Sequence, residues 1–92
     1  MPTVYIPSLM RKFSNNRARI ELRLTQRTLT DLLSDLEESC PGIKRQIFDD
    51  AGVMKQYVNV FVNGHEVRCL DGVSTVVEDE DEVFIIPAMA GG

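Results

Sequence analysis

Apolar and polar residues alternate along several stretches of the chain and recur at helical spacing in one. In "YVNVFVN", Val58, Val60 and Val62 fall on one side of an extended chain, with Tyr57, Asn59, Phe61 and Asn63 on the other. "TVYIPSL" places Val4 and Ile6 on one face. In "RARIELRL", Ile20, Leu22 and Leu24 oppose Arg19, Glu21 and Arg23. Ser14, Asn15 and Asn16 cluster between these two stretches, which predicts a turn and an N-terminal hairpin. "EVFIIP" predicts a last strand with Val83 and Ile85 on one face and Phe84 and Ile86 on the other. Asn63-Gly64 predicts a tight hairpin turn, with "HEVRCL" as a short return strand.

"TLTDLLSDLEESCPG" changes to helical period. Leu29, Leu32, Leu33 and Leu36 share one face, which Cys40 continues. Thr28 caps the helix with Asp31 three residues on, a shortened capping box, and Pro41-Gly42 ends it. "IKRQIFDDAGVMKQ" predicts a helical turn over 43–48 and then a loop. "DGVSTVVEDED" predicts a connection with a turn of helix.

These elements imply an α+β fold: a mixed sheet of four to five strands with one main helix on one face. The valine, isoleucine and leucine set fits beneath the helix. The opposite sheet face then carries Phe61, Phe84 and Ile86, large apolar groups whose exposure points to a protein partner.

Ninety-two residues, 43% of them hydrophobic and 26% charged, make one domain with its own core. No apolar run is long enough to span a bilayer, and the N-terminus lacks a secretory pattern. Cys40 and Cys69 form no CxxC, so two free and mostly buried thiols in a reducing compartment are expected, with a cytoplasmic location. The single histidine, His65, excludes a histidine-rich metal centre.

The net charge is −4, unevenly spread. Residues 1–46 carry eight basic and five acidic side chains; residues 47–92 carry two and nine. The acidic half argues against a nucleic-acid partner. Glu78, Asp79, Glu80, Asp81 and Glu82 lack the spacing of a calcium loop and read as a solvated rim that could steer a basic partner, with no metal site. No nucleophile and base array and no phosphate-binding glycine loop is present.

The chain finishes "PAMAGG". Pro87 stops strand pairing, and Gly91-Gly92 follow with no side chain to anchor them. Either the end is frayed, or the Gly92 carboxylate is a working group that slender neighbours let into a narrow hole. Residues 1–87 are then the folded domain and 88–92 a flexible tail.

The element order, "VNVFVNG", and "EDEDEVFIIPAMAGG" together resemble the ubiquitin-like sulfur-carrier family. That family includes the molybdopterin synthase small subunit and the carriers of the thiamine and cysteine pathways. Its final pattern is Asp-Gly-Asp-x-Val, an apolar strand, Pro and Gly-Gly; Glu80 departs from it where glycine is usual. "PGIKRQIFDDAG" and "QYVNVFVNGHEVRCL" look most like the cysteine-biosynthesis carrier. The resemblance implies a β-grasp fold and a non-enzymatic cosubstrate. An E1-like enzyme would bind the sheet face bearing Phe61, Phe84 and Ile86 and adenylate Gly92, with Met89, Ala90 and Gly91 serving access. A sulfur donor would then leave a thiocarboxylate. Implied partners are that E1-like adenylyltransferase, which uses ATP, a pyridoxal-phosphate cysteine synthase and a metalloprotease that processes the carrier adduct. No cofactor is bound by the carrier, and no nucleic acid or membrane is engaged. Sulfur transfer for molybdopterin or thiamine synthesis, a protein modifier using the same glycine, and a plain β-grasp interaction module are the competing readings.

Overall fold

The computed structural model describes residues 1–23 and 28–87. Its strands are β1 (Thr3–Tyr5), β2 (Arg19–Glu21), β3 (Val58–Val62), β4 (His65–Glu66) and β5 (Glu82–Pro87). Its helices are α1 (Leu29–Ser39) and α2 (Lys44–Ile47). The strands form one mixed sheet in the order β2-β1-β5-β3-β4. β1 runs parallel to β5 at the centre, and the other pairs are antiparallel. This is the β-grasp arrangement: two hairpin-like edges brought together by the last strand, with one principal helix across them.

α1 starts where its polar pattern says it should. The Asp31 amide donates to Thr28 Oγ1, and the Thr28 amide donates to Asp31 Oδ2, each at 3.3 Å. Two orphan donors of the first turn are thereby satisfied. Leu29, Leu32, Leu33, Leu36 and Cys40 are buried against the sheet. The Glu37 carboxylate leaves the helix sideways and accepts from the amides of Gly42 (2.8 Å) and Lys44 (2.9 Å), tying α1 to α2. Gly42 has φ +100°, and a Cβ there would come within 2.9 Å of the Phe13 ring, so glycine is required at this turn.

The core lies between α1 and one sheet face. Val4, Ile6, Ile20, Leu22, Val58, Val60, Val62, Val83 and Ile85 supply the sheet side. Leu24, expected to continue the Ile20–Leu22 face, lies outside the described residues. Ile43 and Ile47 close the core from α2.

Some elements are shorter than their alternation predicts. β1 stops at Tyr5, and Pro7, lacking an N–H, precedes a 3-10 helix over Ser8–Phe13. Asn15 and Asn16, at φ 55° and 67°, then make the expected turn. β4 is only His65–Glu66, because the Glu66 carboxylate accepts from the Arg68 amide at 2.9 Å and winds Val67–Cys69 into a 3-10 turn. That turn leaves Cys69 exposed, correcting the expectation of two buried thiols; Cys40 is fully buried and burial pushes its thiol pKa up. Among the described residues no helix is long and apolar enough to cross a membrane.

Candidate functional site

The side chains facing away from α1 follow from strand parity. Val4, Val83 and Val60 point into the core, so Tyr5, Phe84 and Phe61 point out. Register then aligns them. Phe84 pairs with Phe61 across β5–β3 and with Tyr5 across β5–β1. The Tyr5 and Phe84 rings stack with centroids 4.3 Å apart and planes 4° apart, close to the range of favourable aromatic pairs. Phe61 and Phe84 are each half-buried by their neighbours, while Ile86 is 45% exposed. The result is an apolar strip over three adjacent strands that ends at the last residues of β5.

Strand parity in the sequence puts Phe61, Phe84 and Ile86 on this face, and the structure adds Tyr5 to them. The signal was there: Tyr5 lies between the inward residues Val4 and Ile6. Its neighbour Phe84 is far along the chain, however, and only the parallel β1–β5 pairing brings them together. The Tyr5 hydroxyl donates to Glu82 Oε2 at 2.7 Å. That bond, with partial desolvation and the carboxylate's charge, raises the tyrosine pKa.

The acidic run bounds the strip at the start of β5. Asp81 is a structural member of it. Its carboxylate accepts from the Glu78 amide at 2.8 Å and from Asn63 Nδ2 at 2.6 Å. The Glu82 amide donates to Asn63 Oδ1 at 2.9 Å. The β3–β4 turn and the 78–82 turn are thus pinned together. Asn63 and Gly64 both have positive φ, 51° and 86°, as a two-residue hairpin turn of this kind demands. Glu80 is not among the residues with positive φ, so the turn closes without the glycine the family pattern carries there. Glu78, Asp79, Glu80 and Glu82 are exposed. Among the described residues no group of three His, Cys, Asp or Glu is placed to hold a metal ion.

At the other end, Ile86 lies opposite Asn59 and Pro87 opposite Val58. Arg68 reaches this end: its Nη2 donates to the Lys55 carbonyl at 2.7 Å and its Nη1 to Asn59 Oδ1 at 3.1 Å. Nothing in the local sequence marks Arg68, since "HEVRCL" reads as a strand. The 3-10 turn is what swings the guanidinium across β3. Met89, Ala90, Gly91 and Gly92 lie outside the described residues.

Comparison with known proteins agrees with this arrangement. The ThiS family model matches residues 4–92. The sulfur carrier protein CysO of Mycobacterium tuberculosis is 35% identical over 92 residues, covering 98% of this chain and 97% of its own. Small archaeal modifier protein 3 of Haloferax volcanii is 42% identical over 65 residues, 71% of this chain and 70% of its own. The crystal structure of M. tuberculosis CysO superposes with a TM-score of 0.88 at 32% identity, over 97% of this chain and 100% of that one. A chain of the Amycolatopsis orientalis BexX/CysO complex gives 0.89 at 29% identity, over the whole of both chains. The chain therefore belongs to the ThiS family of ubiquitin-like sulfur carriers.

Proposed function

We propose that the Gly92 carboxylate is the group on which sulfur is carried, and that the sulfur is delivered to cysteine biosynthesis. The observation that supports this most directly is the family match, which runs through residue 92, joined to a β5 strand whose outer face is the apolar strip. A carboxylate is a poor acyl electrophile until one oxygen becomes a leaving group. In the proposed sequence a Gly92 oxygen attacks the α-phosphorus of ATP in an E1-like enzyme, and pyrophosphate leaves. A hydrosulfide-equivalent donor then attacks the acyl carbon. The carbon–oxygen bond to AMP breaks, and a thiocarboxylate remains. ATP, metal and general bases belong to the partner. This chain supplies the strip of Tyr5, Phe61, Phe84 and Ile86 for docking, and residues 88–92 for reach, at most about 3.6 Å per residue.

The cysteine pathway is favoured by the similarity to the sulfur carrier protein CysO. In this reading the acceptor of this chain's sulfur is a pyridoxal-phosphate cysteine synthase, followed by a metalloprotease that releases the product. Free Cys40 and Cys69 fit a reducing, cytoplasmic setting. A protein-modifier role is the second reading, favoured by the identity to small archaeal modifier protein 3. Both begin with the same adenylate. Intact-mass analysis of protein isolated from its native host separates them. Exchange of one oxygen for sulfur at the terminus marks the carrier. A glycine remnant on lysines of other proteins, with no sulfur on this chain, marks the modifier.

A further inference from the structure

On the helix side of the sheet, a cleft of about 830 Å³ opens between the first turn of α1, α2, the 48–55 loop and the 3-10 turn at Gly72–Ser74. Lys44, Arg45 and Lys55 line it, together with the apolar Phe48 and Val73. With Asp49 and Asp50 also in the lining, cations outnumber carboxylates there by three to two, on a chain of net charge −4.

None of the three is neutralised by an ion pair with a described residue. Lys44 Nζ meets only the Ser34 hydroxyl, at 3.3 Å. Lys55 Nζ lies 5.9 Å from the centre of the Tyr57 ring. Of the two carboxylates in the lining, Asp49 accepts from the amides of Ala51 (2.9 Å) and Val53 (3.0 Å) and so closes its own loop. Asp50 is the other. Glu37, on α1, uses its two oxygens on the amides of Gly42 and Lys44, and the charges of Lys44 and Arg45 act on it with no ion pair to either. Thr30, in the first turn of α1 beside the capping residue Asp31, also lines the cleft.

We propose that this cleft is a second docking site, for an acidic protein segment that carries an apolar side chain. The cations meet its carboxylates, and Phe48 with Val73 receives the apolar group. The cleft is walled by α1 and α2, which cover the sheet face opposite Tyr5, Phe61 and Phe84. An acidic partner can therefore be held here while an enzyme occupies the aromatic strip. This goes beyond the sulfur-carrier reading and does not depend on the state of Gly92.

The test is an amide-resolved NMR titration of the full chain with a short synthetic peptide alternating glutamate and leucine. Parallel arms use a lysine–leucine peptide and a glutamate–serine peptide. Saturable shifts at Thr30, Lys44, Phe48 and Val73 with the glutamate–leucine peptide alone are expected, with Phe61 and Phe84 unmoved. Binding should weaken by at least about tenfold in the folded double variant Lys44→Glu, Arg45→Glu. It should be lost in about 1 M salt, where the Debye length is about 3 Å. Lys55→Glu, on a separate loop, repeats the test should the double variant fail to fold. Absence of saturable shifts, shifts on the aromatic strip, or equal binding of the lysine peptide overturns the proposal. So does concentration-dependent self-association that shifts the same cleft amides without peptide, since the occupant is then a second copy.

Discussion

Asn63 and Asp81, 18 residues apart in sequence, are joined by a 2.6 Å hydrogen bond from Nδ2 to Oδ1, and the same Asn63 side chain accepts from the Glu82 backbone. The hairpin turn after β3 and the acidic turn before β5 are one unit. Replacing Asn63 with glycine keeps the positive φ without strain and removes both side-chain bonds, with a smaller cost from the freer unfolded chain. Asn63→Gly should lower unfolding free energy by about 1–2 kcal/mol in urea denaturation. An unchanged midpoint would mean that water replaces both bonds at no cost.

The face of α1 makes a second expectation. Leu36 is fully buried beneath the sheet. Leu36→Ala removes apolar burial and leaves a cavity, and should cost about 2–5 kcal/mol. Equilibrium unfolding measures it. A loss below about 1 kcal/mol would be inconsistent with a rigid core at this position.

Much of this arrangement was legible in the chain, because parity and period are local. Val58, Val60 and Val62 face inward, and Leu29, Leu32, Leu33 and Leu36 form one stripe, as their spacing requires. The outward placement of Phe61, Phe84 and Ile86 followed from the same parity. What was not legible depends on distant pairing or on side-chain bonds that interrupt an alternating pattern. Tyr5 joins the aromatic strip only because β1 lies beside β5. Arg68 and Cys69 look like strand residues, but the Glu66 carboxylate turns the chain at that point. The basic cleft gathers Lys44, Arg45 and Lys55 from α2 and a loop with no shared motif.

The apolar strip, proposed above as the docking surface, yields a third expectation. Ile86 is the most exposed apolar member and lies beside the exit of β5. Ile86→Lys should leave stability within about 0.5 kcal/mol, as surface substitutions generally do. Affinity for the activating enzyme should fall by at least about tenfold, the scale expected when an apolar interface anchor is replaced by a charge. Calorimetric titration with the cognate enzyme checks both halves when paired with a melting curve. Unaltered affinity would move the docking surface elsewhere.

Glu37 links stability to pH. Its carboxylate pKa is lowered first by the hydrogen bonds from the Gly42 and Lys44 amides, then by the charges of Lys44 and Arg45. A carboxyl group whose pKa is depressed on folding stabilises the fold at pH values above its unfolded pKa. That contribution is lost as pH falls through the folded value. Glu37→Gln should therefore be less stable than the parent at neutral pH. The gap should narrow below the ordinary glutamate range, about pH 4.3. Melting temperatures of both proteins across an acid series test this. A gap that stays constant through the series would assign the loss to something other than ionisation.

The final expectation concerns Gly92. Among the described residues the buried apolar cluster draws on positions between Val4 and Ile85, and a glycine has no side chain to add to it, so removing Gly92 is expected to leave the fold intact. The new carboxylate sits one residue earlier, displaced by up to about 3.6 Å. Misplacement of reacting groups by about 1 Å can already cost about a hundredfold in rate. A chain ending at Gly91 should melt like the parent and lose at least about two orders of magnitude in activation. Gly91→Val, which puts a branched Cβ beside the reacting carbonyl, should impair activation by narrowing backbone freedom and adding bulk. The measurement is ATP–pyrophosphate exchange by the purified cognate enzyme, with Ile86→Lys in parallel. A docking defect should be overcome by raising carrier concentration, whereas a displaced carboxylate should not, because the complex forms but its acyl oxygen misses the α-phosphorus. Equal exchange by the parent and the shortened chain would remove Gly92 from the chemistry and leave the apolar strip as the working surface of a binding module.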